Sequence, residues 1–255
     1  MLLAIDIGNT NTSIGMFEDN QLKASWNVAT DLHRTGDQYA ATLLKLLEHE
    51  GISSEDVTKV AMCSVVPPLV GVFEQFLKRY FNVEPLLVEA GTKTGVRIRM
   101  DNPREVGADR IVNAAAAHHL YGGAVIIVDL GTATTFDTVS AEGDYLGGAI
   151  APGIDSAVEA LTERAAMLPR IELVRPANAI GTNTVMAMQS GMIFGYIGMV
   201  EEIVRRISAE LEEKPKVIAT GGYAELMAGQ TDIIEEVNIN LTLIGLKKVY
   251  FMNRA

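Results

Sequence analysis

Two aspartates occupy matching places in a pattern that the chain uses twice. Asp6 follows the apolar run Leu2-Leu3-Ala4-Ile5 and leads into Ile7-Gly8-Asn9-Thr10-Asn11-Thr12. Asp129 follows Val125-Ile126-Ile127-Val128 and leads into Leu130-Gly131-Thr132-Ala133-Thr134-Thr135. In each copy a carboxylate closes a buried strand, a glycine comes two positions later, and small hydroxyl residues cluster after it. A lone Asp-x-Gly would be a turn cap. Two turn caps need not share an upstream strand, a glycine spacing and a downstream strand, so the repetition points to chemistry. Glycine turns expose backbone amides, hydroxyls donate hydrogen bonds and a carboxylate holds a cation, and together these are the parts of a phosphate-handling site. No lysine follows the glycines as in a Walker A loop, and the spacing is not the G-x-G-x-x-G of a dinucleotide fold.

A third acid stands outside the repeat. Asp109-Arg110 would pass as a charge pair on a helix surface, but Gly107-Ala108 leave room beside the acid and the apolar pair Ile111-Val112 follows. Other candidates read more plainly. His118 and His119 are adjacent on a helix, so they point to different faces and suit surface or packing roles better than a shared metal. Cys63, the only cysteine, lies in Val60-Ala61-Met62-Cys63-Ser64-Val65-Val66 and reads as a buried strand residue.

The elements that must position these groups form a pattern used twice. Residues 2–7, 12–17 and 22–28 read as three strands. A helix follows, with Tyr39, Leu43, Leu44, Leu46 and Leu47 at helical spacing up to a stop at Gly51. Residues 58–66 form a strand ended by Pro67-Pro68, residues 69–81 a helix, and Leu86-Leu87-Val88 a short strand. The second half restarts with strands at 124–129, 134–140 and 144–150, then helices near 153–166 and 183–212. A strand at 216–219 leads into Thr220-Gly221-Gly222-Tyr223, and a terminal helix covers 240–252. Between the halves, 103–121 is expected to be one helix with Pro103 in its first turn and Ala114–Ala117 favouring it. Strand–strand–strand–helix–strand used twice predicts a duplicated α/β chain, divided as 1–117 and 118–255, with mixed sheets and a cleft between the halves.

Composition narrows the function classes. The 255 residues are 48% hydrophobic and 21% charged, with a formal net charge of −11. That balance disfavours nucleic acid and anionic membranes as partners, since no Lys/Arg run supplies a basic patch and Arg97, Arg99, Arg104 and Arg110 form the nearest cluster. One cysteine precludes intrachain disulfides. Asp6 interrupts the N-terminal apolar stretch, which is not expected to be a signal peptide, and no stretch approaches the ~20 apolar residues of a membrane span. A cytoplasmic protein is expected. The segment Gly191-Met192-Ile193-Phe194-Gly195-Tyr196-Ile197-Gly198-Met199 is apolar and spaced by small residues, which suits either a core contact or a dimer seam.

The two Asp-x-Gly hairpins with the late Gly221-Gly222 resemble the phosphate and adenosine motifs of the actin, hexokinase and Hsp70 superfamily, whose halves are ribonuclease-H-like (actin-like ATPase) domains. More narrowly, Asp6–Asn11, Gly107-Ala108-Asp109-Arg110, Asp129–Thr134 and Gly147-Gly148-Ala149-Ile150-Ala151-Pro152-Gly153 resemble, in order and spacing over nearly the whole chain, type III pantothenate kinases. The resemblance implies ATP-dependent phosphorylation of pantothenate to 4′-phosphopantothenate, the first step of coenzyme A biosynthesis. It also implies a homodimer, Mg²⁺ as the divalent ion, and a monovalent cation, K⁺ or NH₄⁺. By the same resemblance Asp109 is the catalytic base, and Gly107, Ala108, Asp109, Arg110 and Thr184 contact the substrate. Asp6, Ile7, Gly8, Asn9, Thr10, Asn11, Thr12 and Ser13 form the ATP phosphate loop, with Asp6 acting through metal-bound water. Thr132 contacts ATP and Asp129 holds the monovalent cation. On residue type alone, Thr184 reads as a helix N-cap. Met100 stands where relatives carry tyrosine; it donates no hydroxyl hydrogen bond but can line an apolar wall.

Two other readings fit the same scaffold. One is a non-catalytic ATP-binding regulatory protein of the Bvg accessory factor type. The other is a different phosphoryl reaction, such as a sugar or acetate kinase or a polyphosphate hydrolase. Asp6, Asp109 and Asp129 together favour catalysis, because a pure binder has no need of a third acid beside an arginine.

Overall fold

The structure, a computed structural model, describes residues 1–254. Its elements in chain order begin with β1 (Leu2–Ile7), β2 (Asn11–Glu18), β3 (Gln21–Ala29), α1 (Gly36–His49), β4 (Lys59–Ser64), α2 (Pro67–Phe81) and β5 (Leu86–Leu87). There follow β6 (Arg97–Ile98), α3 (Ala108–Tyr121), β7 (Val125–Leu130), β8 (Ala133–Val139), β9 (Asp144–Pro152), α4 (Ile154–Arg164) and α5 (Thr184–Ala209). The chain closes with β10 (Lys216–Thr220), α6 (Ala224–Ala228), β11 (Glu236–Val237) and α7 (Leu241–Asn253).

The strands build two mixed sheets, β3-β2-β1-β4-β5 and β11-β10-β7-β8-β9-β6. Without β6, the second repeats the first: an antiparallel meander of three strands, then parallel neighbours on the far side of the first strand. The register repeats too. Asp6 lies level with Ser13 on β2 and Cys63 on β4, while Asp129 lies level with Thr135 on β8 and Thr220 on β10.

The chain divides into two compact units. One holds Met1–Val96, Asp101–Ala116 and the C-terminal stretch from Asn240; the other holds Arg97–Met100 and Ala117–Ile239. The division thus differs from a single cut after residue 117, because α7 packs on β1 and β4 and α3 passes from one unit to the other.

In the first unit β1 is buried on both faces, as its unbroken apolar run requires. Leu3, Ile5 and Ile7 pack with Tyr39, Leu43, Phe73, Phe76 and Leu77 of α1 and α2. Leu2 and Ala4 pack with Val112 and Ala115 of α3 and Leu243, Leu246 and Val249 of α7. Each fully buried Leu or Ile contributes ~1.5–3 kcal/mol, so β1 is clamped from both sides and Asp6 is held at a fixed height. Helix α1 starts at a capping box, Thr35 with Gln38, and ends before Gly51, the expected stop. Pro67-Pro68 opens α2, where prolines fit the first turn, rather than standing between strand and helix.

In the second unit Ile126, Val128, Leu130 and Phe136 pack with Ile154 of α4 and Ile193, Tyr196, Val200 and Val204 of α5. The expected helix 103–121 is shorter than its sequence suggests. Pro103–Glu105 form one 3-10 turn capped by Asn102, and α3 begins only after Gly107. Among the described residues no helix is long and apolar enough to cross a membrane.

Candidate active site

In the first unit the ends of β1 and β4 converge with the start of α3. The Val65 amide donates to the Ile7 carbonyl at 3.0 Å, and a side-chain carbon at Gly107 would stand 3.6 Å from Val65 Cγ1. Asp109 lies in the first turn of α3, where the helix dipole favours an anion. Its Oδ1 accepts from the Arg110 amide at 2.8 Å and folds back over Gly107. A Cβ at Gly107 would come within 2.5 Å of that oxygen. The room that the sequence placed beside the acid is therefore used by the carboxylate itself.

Asp6 stands at the end of β1, partly buried. Burial, and then the nearby Asp109 charge, push its carboxyl from 3.8 up to about 7, while a hydrogen bond from Cys63 works in the opposite direction. The turn after it is closed by the Gly8 amide donating to the Asn11 carbonyl at 3.0 Å. Asn9, Thr10 and Asn11 are exposed at its tip, with Gly8 half-buried behind them. Ser13 is partly exposed and donates to Asn27. Ile7 and Thr12 are fully buried, and the Thr12 hydroxyl bonds Thr30 at 2.9 Å. Their side chains support the loop from beneath and do not line its surface.

The second unit carries the other turn. The Gly131 amide donates to the Ala133 carbonyl at 3.1 Å, one residue sooner than its counterpart, and leaves Thr132 exposed at the tip. The Thr132 carbonyl accepts from the Gly153 amide at 3.1 Å and the Ser156 hydroxyl at 3.0 Å, which ties the turn to the start of α4. Gly221 crosses directly above Asp129. Its φ is +91°, and a Cβ there would lie 2.6 Å from Asp129 Oδ1. Beside it, the Tyr223 hydroxyl donates to Asp155 at 2.6 Å, and burial with that bond pushes the phenol up to about 12.

Two sequence expectations change here. Thr184 is the first residue of α5 and exposed, and the cap is Asn183, whose Oδ1 accepts from the Met186 amide at 2.9 Å. Met100 packs its sulfur against Gly147, where a Cβ would be 2.8 Å away. Cys63 is more than the packing residue its apolar run suggests. It is fully buried, and its thiol also donates to Asp6 Oδ1 at 3.2 Å. The signal lay in register, since a strand pairing parallel to β1 brings this residue level with Asp6.

Among the described residues no three His, Cys, Asp or Glu side chains gather to hold a metal. Mg²⁺ takes one or two carboxylates and completes its shell with waters and phosphate oxygens. A buried carboxyl whose proton affinity is raised by a second acid is a group that a divalent cation would relieve. Asp6, with Asp109 nearby in the first unit, fits such a cation.

Two mixed sheets of one strand order, each with a strand-end Asp-x-Gly turn, define an actin-like ATPase fold. Solved structures share it. A Campylobacter jejuni protein described as a Baf-family transcriptional activator superposes with a TM-score of 0.64 at 21% identity, covering 98% of each chain. A ROK-family glucokinase from Streptomyces griseus, solved with glucose and AMPPNP, gives 0.50 at 12% identity, covering 98% of this chain and 99% of that one. At those identities they speak for the fold alone. The family model for type III pantothenate kinase matches residues 2–206. A type III pantothenate kinase of Dehalococcoides mccartyi is 59% identical over 254 residues, covering 100% of this chain and 97% of the relative. The chain belongs to the type III pantothenate kinase family.

Proposed function

We propose that this chain transfers the γ-phosphoryl group of ATP to the 4′-hydroxyl of pantothenate, with a divalent cation, at the start of coenzyme A biosynthesis. The full-length match to type III pantothenate kinases carries this reading. The pairing of Asp6 with Asp109 at the mouth of α3 supports it. Asp109 is the base. A carboxylate is a weak base toward an alcohol, so Asp109 mainly orients the hydroxyl and takes the proton late. Arg110 suits the pantothenate carboxylate, with Gly107, Ala108 and Thr184 as further substrate contacts. Asp6 and the turn from Gly8 to Asn11 serve the phosphates, with Ser13, and with Ile7 and Thr12 as the buried base of the loop. Thr132, by its match to the family motif, is a further ATP contact. A divalent cation, when bound, spreads the charge that develops on the transferring group. A coupled assay of ADP release with and without pantothenate tests the reading.

Asp129 is assigned a monovalent cation, K⁺ or NH₄⁺, on its match to the motif of the type III pantothenate kinase family. Replacing K⁺ by Na⁺ at constant ionic strength is expected to lower kcat by ~10-fold or more, and Asp129→Ala should abolish the difference between the salts. Equal wild-type rates in the two salts contradict the assignment.

The protein is further proposed to be a cytoplasmic homodimer that binds neither nucleic acid nor membrane, in keeping with its net charge of −11. Gly191, Gly195 and Gly198 lie exposed along α5, and a side-chain carbon added at any of them meets nothing within 4 Å. A glycine stripe facing outwards suits close helix approach between copies. Light scattering at micromolar concentration should return a dimer mass, and Gly195→Arg a monomer. A wild-type monomer overturns the seam.

A further inference from the structure

The thiol of Cys63 does more at the end of β4 than fill space. The neighbouring buried residues are apolar, among them Leu2, Ala4, Ala61, Val112 and Leu246, so packing alone would be met by Ala or Val. The thiol instead points a proton at Asp6 Oδ1 across 3.2 Å. A thiol is a weak donor that costs little to bury, whereas a hydroxyl carries two further acceptor sites that need partners. The second unit offers an independent parallel. Thr220, 2% exposed, occupies the equivalent register position beside Asp129, in a strand otherwise made of Val217, Ile218 and Ala219 at its buried positions. In both units a small side chain with a single donor hydrogen lies level with the strand-end carboxylate on the parallel neighbour.

We infer that Cys63 is a positioning residue, whose thiol fixes Asp6 Oδ1 from the core side and leaves Oδ2 to the divalent cation and, through bound water, to the phosphates. The inference rests on the assignment of Asp6 to those ligands. A carboxylate held at one oxygen presents the other in one orientation, and the ordering cost is met in the fold and not at binding.

The test compares wild type with Cys63→Ala, Cys63→Val and Cys63→Ser in the full chain. Calorimetry gives the dissociation constant of Mg·ATP, kinetics give kcat and the KM for pantothenate, and thermal melts without ligand report folding. Val fills the site without a donor, so it separates positioning from packing should Ala melt early. Cys63→Ala and Cys63→Val are expected to weaken Mg·ATP binding by ~5–10-fold, the scale of a lost weak bond to a charged group. The KM for pantothenate should stay unchanged, and Cys63→Ser should return binding to within ~3-fold of wild type. Unchanged Mg·ATP binding in the Ala or Val variant overturns the inference while leaving the kinase reading intact. Loss shared equally by Ser assigns Cys63 to packing and overturns it as well. A wild type that binds no Mg·ATP overturns both.

Discussion

Asp109→Asn should lower kcat by ~10³-fold while Mg·ATP binding stays within ~3-fold of wild type. Asparagine keeps the shape of aspartate, and its carbonyl oxygen can still accept from the Arg110 amide that now bonds Asp109 Oδ1 at 2.8 Å. The start of α3 should therefore stay as it is, and the melting temperature should move little. What disappears is the group that can accept the proton of the acceptor hydroxyl. Phosphoryl transfer depends largely on positioning and charge stabilisation, so a loss of this size would mean that Asp109 orients the hydroxyl as well as receiving its proton. The variant should also ease the ionisation of Asp6, because the Asp109 charge is one of the causes that raise it. Turnover near the wild-type rate removes Asp109 from the mechanism.

Asp6→Asn should move activity and stability in opposite directions. The folded protein keeps a proton on Asp6 up to about pH 7, whereas the ordinary value is 3.8. Between those two values the folded state binds more protons than the unfolded chain. Asp6 therefore subtracts stability as pH rises through this window, and the full cost is present above it. Without metal or nucleotide, Asp6→Asn should be more stable than wild type at pH 8 by on the order of 2–4 kcal/mol, or roughly 5 °C or more. At pH 4 the two should melt together. Turnover should fall ~10²-fold or more, because a neutral amide holds a divalent cation poorly. Mg·ATP should stabilise wild type more than the variant. A variant no more stable than wild type at pH 8 would show that Asp6 carries no such burden.

The repeat was legible because each copy is local: an unbroken apolar run, an aspartate, then a glycine turn. The mixed sheets follow from those runs and their order. Long-range pairing was not legible. Nothing near Cys63 in the sequence announces that β4 lies parallel to β1 with this residue level with Asp6. The placement of α7 against β1 depends on apolar residues such as Leu243 and Leu246 matching a surface made by distant strands. Alanine propensity favours a helix over 103–121, but Gly107 breaks it where Asp109 needs space. Asn183 took the cap expected of Thr184, one residue earlier, a shift that propensity does not resolve. The strands β6 and β11 have two residues each, too few to show a period. In the site, the acids were legible by type and spacing. The one-residue difference between the two turns, which exposes Asn9 to Asn11 in one and Thr132 in the other, emerged only with the register.

The central claim is transfer to pantothenate. The most direct measurement incubates the purified chain with ATP, Mg²⁺, K⁺ and pantothenate and quantifies ADP and 4′-phosphopantothenate together by mass spectrometry. The account predicts the two products in equal amounts, with ADP absent when pantothenate is omitted. ADP without phosphopantothenate would make the protein a nucleotide hydrolase, and neither product would make it a non-catalytic binder; either result contradicts the account.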